Sequence, residues 1–107
     1  MSRHGNSLEN DKPHHLYEIR DKKESSVFKY GISDDPIDDD GLSDRLRRQV
    51  NFMNLVAGFA RFIGKILIKG IAGRKKARQL EDEYIDSYTD KHGQRPRGNI
   101  RGGKKKR

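Results

Sequence analysis

Glu81 is the residue whose type and position fit least well with an ordinary fold. It falls within residues 73–99, which read as one amphipathic helix and its end. Ala77, Leu80, Tyr84 and Tyr88 recur at helical spacing and face a core, while Lys75, Lys76, Gln79, Asp82 and Asp86 face water. Gly73 precedes the run, and Gly93 with Pro96 beyond it supplies the stop signals. Glu81 lies one turn after Ala77 and one turn before Ile85, beside the apolar stripe rather than opposite it. A carboxylate held against a core is costly unless a cation or donor pairs with it. It is therefore either an edge glutamate that reaches solvent or an arginine, or a functional carboxylate. The same helix opens on Arg74, Lys75, Lys76 and Arg78, which with Arg48 further upstream are suited to phosphate contacts.

The chain as a whole bounds these readings. With 107 residues there is room for one domain and tails; 31% hydrophobic and 37% charged residues leave only a small core. The absence of cysteine excludes disulfides and thiolate zinc sites. The net charge of +8 is unevenly placed: residues 1–44 carry −5 and residues 45–107 carry +13. That asymmetry favours a polyanion partner, most simply nucleic acid. No signal peptide opens the sequence. The most apolar window, residues 52–72, is broken by Asn54, Arg61, Lys65, Lys69 and three glycines, which argues against a stable membrane span. The acidic run DDPIDDDG at 34–41 fails the EF-hand template, which would place Pro36 at the first ligand position.

The elements that must position these side chains follow in order. Residues 1–14 read as a linker or flexible N-terminus. Residues 16–19 alternate apolar and polar as in a half-buried strand, and residues 27–32 form a second, joined by a polar turn into a hairpin. Gly31 inside the second strand points to a bulge or a close backbone approach. Ser43 caps a helix over 44–57 that ends at Gly58, with Leu46, Val50, Met53 and Ala57 as its buried stripe and Arg45, Arg48 and Phe52 on a flank. Residues 60–69 suggest a third strand, the helix from Arg74 follows, and residues 101–107 are a flexible basic tail. The expected fold is α/β: a small three-stranded sheet flanked by helices in the order β-β-α-β-α, within residues 15–100.

This order and its residues resemble the GIY-YIG nuclease superfamily, or URI fold, and in particular its bacterial toxin-domain branch. His15-Leu16-Tyr17 occupies the place of the first triplet, and Lys29-Tyr30-Gly31 that of the second. Arg45 resembles the arginine of the first helix, and Ala77, Glu81 and Tyr84-Ile85 the pattern of the second. Pro96-Arg97-Gly98-Asn99 resembles the closing proline–asparagine element. The resemblance implies a metal-dependent endonuclease acting on DNA (possibly RNA), with Glu81 binding Mg²⁺, Mn²⁺ or a similar divalent cation. It implies Tyr17 as general base, Arg45 on the scissile phosphate, Asn99 as a brace, and a site that includes Lys29 and Tyr30, one of which lines it. It further implies a domain that acts in the cytoplasm of a target bacterium, delivered by a larger secreted protein and held in check by an acidic immunity protein. Two positions depart from the pattern: Lys29 stands in a tyrosine slot, and Gln49 in a slot often held by histidine. His14 and His15 beside Tyr17 offer one compensation. Each residue also has an ordinary reading: Tyr17 and Tyr30 as strand aromatics, Arg45 as a solvated helix residue, Asn99 as a loop residue. Two further function classes stand beside the nuclease, a non-catalytic nucleic-acid-binding module and a membrane-active segment built on residues 52–72.

Overall fold

The computed structural model describes residues 9–99. The basic end at 101–107 and the first eight residues of the expected linker lie outside the described residues. The elements run β1 (Pro13–Asp21), β2 (Ser26–Ser33), α1 (Asp44–Ala57), β3 (Phe62–Ala72), α2 (Arg74–His92) and a closing 3₁₀ turn (Arg97–Asn99). This is the expected β-β-α-β-α order. The sheet is antiparallel in the order β2-β1-β3, so β1 is paired on both edges and β2 has one free edge.

Because neighbouring strand residues point to opposite faces, β1 feeds two small cores. Leu16 joins Val27, Tyr30, Ile32 and Ile71 beneath Ala77 and Ile85 of α2. Tyr17 and Ile19 pack on the other face with Leu46, Val50 and Met53 of α1. The sheet is thus sandwiched between the helices. An extra residue in β3 opposite the Leu16–Tyr17 step lets Leu67 and Ile68 both pack on the α2 side, while Ile66 stays on the α1 side.

The helix ends fall where the caps put them. The Ser43 side chain accepts from Leu46 N–H at 3.4 Å, and Gly58 and Gly93 close α1 and α2 in the left-handed conformation. The strands differ from the sequence reading at their ends. β1 begins at Pro13, so His14 and His15 are buried strand residues rather than linker residues. β3 begins at Phe62 and runs to Ala72, because the Asn54 amide clips its start: Phe62 N–H donates to Oδ1 at 2.7 Å and Nδ2 donates to Phe62 C=O at 3.1 Å. The apolar window at 52–72 is divided between α1, a turn and β3, and no helix among the described residues is long and apolar enough to cross a membrane. The outer face of α1 is nonetheless apolar, with Phe52, Leu55 and Val56 more than half exposed.

A buried carboxylate locks the far end of the sheet. Asp21, with no solvent exposure, accepts from Arg61 Nε at 2.9 Å and Nη2 at 2.7 Å, from Arg97 Nη2 at 2.6 Å, and from the N–H groups of Lys23 and Glu24. The Arg61 bonds in particular hold its carboxyl well below the usual carboxylate range. A depressed folded-state value means the stabilisation is complete above the unfolded value near 4 and is lost as the pH falls below it. We expect Asp21→Asn to lower the melting temperature by roughly 10 °C at pH 7. The gap from the parent should close in thermal melts taken below about pH 4; a gap independent of pH would show that packing, not charge, holds this end.

Candidate functional site

Tyr17 reaches the open edge of the sheet because Gly31 has no side chain. The two residues are partners across β1 and β2, and a Cβ on Gly31 would overlap the Cζ and hydroxyl of Tyr17. The phenol therefore crosses over β2 and enters a cavity of about 600 Å³. Tyr17, Lys29 and Gly31 from the sheet, Arg45 from α1, Glu81 from α2 and Asn99 from the closing turn all border it. The close approach expected at Gly31 is thus the feature that delivers the phenol.

Lys29 and Tyr30 divide as strand alternation requires. The Lys29 ammonium lies on the Tyr17 side and donates to Gln49 Oε1 at 3.3 Å; Gln49 Nε2 in turn donates to the Tyr17 hydroxyl at 2.7 Å. Lysine can only donate, so the amide oxygen must face it and the amide N–H must face the phenol. Tyr17 oxygen thus accepts from Gln49, and its own proton is directed elsewhere. Tyr30 also borders the cavity, but its ring does not join this group. That ring is buried in the α2-side core, edge-on to Tyr84 with centroids 5.5 Å apart. Its main chain matters instead, since Tyr30 N–H donates to Asn99 Oδ1 at 2.8 Å and Asn99 Nδ2 donates to Tyr30 C=O at 3.0 Å. Asn99 is thereby a brace on the free edge of β2.

The charges in the cavity oppose one another. Burial pushes the Tyr17 phenol above the usual tyrosine value, against the Gln49 hydrogen bond and the Arg45 guanidinium, while Glu81 adds to the rise. Burial likewise pushes Glu81 up, opposed by Arg78, Lys29 and Arg74. The Glu81 side chain is 16% exposed, and its nearest cation, Arg78 Nε, stands 4.0 Å away. The described residues contain no group of three or more metal-ligating side chains. A hard cation that keeps most of its waters and takes one protein carboxylate plus substrate phosphate oxygens fits that donor set.

The other expected site residues separate by position. Arg74 and Arg78 border the cavity; Arg48, Lys75 and Lys76 are exposed outside its walls. His14 and His15 do not compensate for Gln49. His15 Nε2 is bonded to the Ser43 hydroxyl at 3.1 Å, His14 Nδ1 to Lys12 C=O at 2.7 Å, and neither borders the cavity. Burial lowers the His15 pKa, which disfavours the charged ring. Sequence reading did not single out Arg95, which lies between the Gly93 stop and Pro96 and borders the cavity beside Asp82. Its signal was slight, one of two arginines around Pro96 in an irregular segment.

A family described as URI fold toxin 2 has a model that matches residues 7–93, spanning every strand and both helices. No curated protein and no solved structure matches the chain.

Glu81 yields a test that needs no substrate. Its raised folded-state value means that the stability it contributes is present below the unfolded pKa and is lost as the pH rises through the folded one. The parent should therefore lose stability relative to Glu81→Gln as the pH rises above about 4. At pH 7 the variant should melt at the parent's temperature or above it. Lower melting of Glu81→Gln at pH 7 would make the carboxylate a structural ion-pair partner.

Proposed function

The chain belongs to the URI-fold toxin 2 family, and on that premise we propose that its cavity is the active site of a metal-dependent endonuclease that hydrolyses phosphodiester bonds in nucleic acid, DNA before RNA. The observation that carries this reading is convergence. Tyr17, Arg45 and Glu81 come from three separate elements and border one cavity at the free edge of a sheet.

The chemistry assigns each group a task. The Arg45 guanidinium binds the scissile phosphate and neutralises charge that develops on it. Glu81 would hold Mg²⁺ or Mn²⁺, which when bound supplies Lewis-acid stabilisation of the phosphate. The Tyr17 hydroxyl orients the attacking water, and taking its proton requires the phenolate. Burial disfavours that form, while the Gln49 N–H donor and the Arg45 charge favour it. Lys29 acts on Tyr17 through Gln49, as a positioning residue. Asn99 keeps the edge strand in place. Arg74 and Arg78 in the cavity wall, with Arg48, Lys75 and Lys76 on the surface around it, supply phosphate contacts that draw the substrate in.

In this reading the domain is the toxic part of a larger secreted protein, delivered into the cytoplasm of a target bacterium. The strongly basic half from residue 45 onward suits electrostatically steered capture by an acidic immunity protein in the producing cell.

Cleavage of plasmid DNA and of RNA, with Mg²⁺ or with EDTA, tests the activity. Glu81→Gln should cut at least about 100-fold more slowly than the parent, because metal and charge stabilisation supply several kcal/mol of barrier lowering. Its filter binding should be unchanged, and exposed Glu83→Gln should cut normally. Tight binding with no metal-dependent cleavage of either substrate would leave a non-catalytic binding module.

Lys29→Met and Gln49→Leu test the relay. Each should reduce cleavage, and the double variant should be no worse than the weaker single one, since both break a single hydrogen-bonded chain. Fully additive losses would separate the two residues.

A further inference from the structure

Sorting the arginines by partner isolates two of them. Arg47 is held by Asp38, Asp40 and Asp44; Arg61 and Arg97 share Asp21; Arg20 stands 3.8 Å from Glu18 and Arg78 stands 4.0 Å from Glu81. Arg45 and Arg48 make no ion pair among the described residues, but both are exposed and solvated. Arg74 and Arg95 also make none, although both are half-buried. The Nε atom of each is shut off from solvent and has no hydrogen-bond acceptor among the described residues. A buried donor without an acceptor carries a desolvation cost that folded proteins rarely leave unmet.

Both side chains border the cavity that contains Glu81. They come from opposite ends of α2: Arg74 is its first residue, where the helix dipole favours an anion, and Arg95 follows the Gly93 cap. Four carboxylates, Asp34, Asp35, Glu81 and Asp82, border the cavity against five cations, Lys29, Arg45, Arg74, Arg78 and Arg95. Arg45 belongs to α1, across the cavity, and together with Lys29 forms a separate cationic group beside Tyr17.

We infer that Arg74 and Arg95, set apart along α2, make up a second anion subsite in this cavity, each contacting a phosphodiester that flanks the one on Arg45. A guanidinium fork matches the paired oxygens of a phosphodiester, and turning the fork into the cavity to meet one would bring each Nε from its closed position to an acceptor. Two cationic groups on separate walls suit a repeating polyanion rather than a mononucleotide. The inference rests on the nuclease reading for which phosphate is cut, and not for the subsite itself.

The test is run in EDTA, so that nothing is cut, with a short DNA duplex and an RNA oligomer as probes. Binding of either should move two arginine Nε–H NMR signals, one absent from Arg74→Lys and the other from Arg95→Lys. Arg95→Met should weaken binding several-fold and reduce the slope of log affinity against log salt by about one, while Arg95→Lys keeps the slope. Unmoved Nε–H signals, with parent-like affinity and slope in Arg95→Met, would overturn the subsite even if cleavage in Mg²⁺ is intact. The expected shifts without any cleavage in Mg²⁺ would uphold the subsite and remove the enzyme. Failure to bind either nucleic acid overturns both.

Discussion

Asp21 is a carboxylate without access to water, and the way it is satisfied determines how the closing turn meets the sheet. An ionised carboxylate buried alone would cost far more than so small a core could offset. Five donors from the β1–β2 turn, from Arg61 just ahead of β3 and from the closing turn surround it instead. Arg97 is the consequential one, because it brings in a segment with little apolar surface of its own. Its guanidinium also lies over the Phe28 ring at 5.1 Å, and Gly98 presses so close to β2 that a Cβ there would stand 2.6 Å from Lys29 Cβ. Asn99 then reaches the Tyr30 main chain and satisfies groups that an edge strand leaves open. A salt bridge at one end of the sheet thus helps shape a wall of the cavity at its edge.

The charge asymmetry of the chain has an internal component and an external one. The acidic loop ahead of α1 is used locally: Asp38 and Asp40, with Asp44, clamp Arg47, and Asp35 accepts from the Arg45 N–H at 2.9 Å as α1 begins. These carboxylates fasten a loop to a helix start, where the dipole also favours them. The basic half is different: among the described residues Arg45, Arg74 and Arg95 border the cavity without an ion pair, and Lys75 and Lys76 stand exposed in the first turn of α2. Net charge alone could not separate these two uses. Only the partner of each arginine does so.

The parts of the fold legible in the sequence were those governed by local chemistry. Ser43, Gly58, Gly73 and Gly93 mark helix ends through rules that act within a few residues, and both helices end there. Strand ends depend on pairing across the sheet, so β1 starts at Pro13 and β3 at Phe62, for reasons that lie in Ile71, Ala72 and Asn54. Alternation put the side chains of Lys29 and Tyr30 on opposite faces, but both residues border the cavity, and which side chain joins Tyr17 could not be read from it. That choice follows from Tyr30 packing on Tyr84, more than fifty residues later in the chain. Arg95 was illegible for a similar reason, since its meaning lies in burial without a partner, which no spacing reveals. Glu81 was legible because a carboxylate beside an apolar stripe breaks a periodic pattern, and its burial follows from that position.

The two departures from the GIY-YIG pattern meet in space and bear on each other. A lysine in a tyrosine slot and a glutamine in a histidine slot would each weaken the site if it acted alone. Gln49 has no proton equilibrium near neutral pH, and an unconstrained amide would present either end to Tyr17. Lys29 removes that freedom, because an ammonium tolerates only the oxygen end, and the N–H end is left for the phenol. The pair therefore gives Tyr17 a fixed donor, where a histidine would exchange a proton with it. A fixed donor to the phenolic oxygen favours the ionised form, and burial of the ring opposes it. The proton affinity of Tyr17 is set by that opposition, and Lys29, two contacts away from the phenol, bears on it by fixing which end of Gln49 the phenol meets.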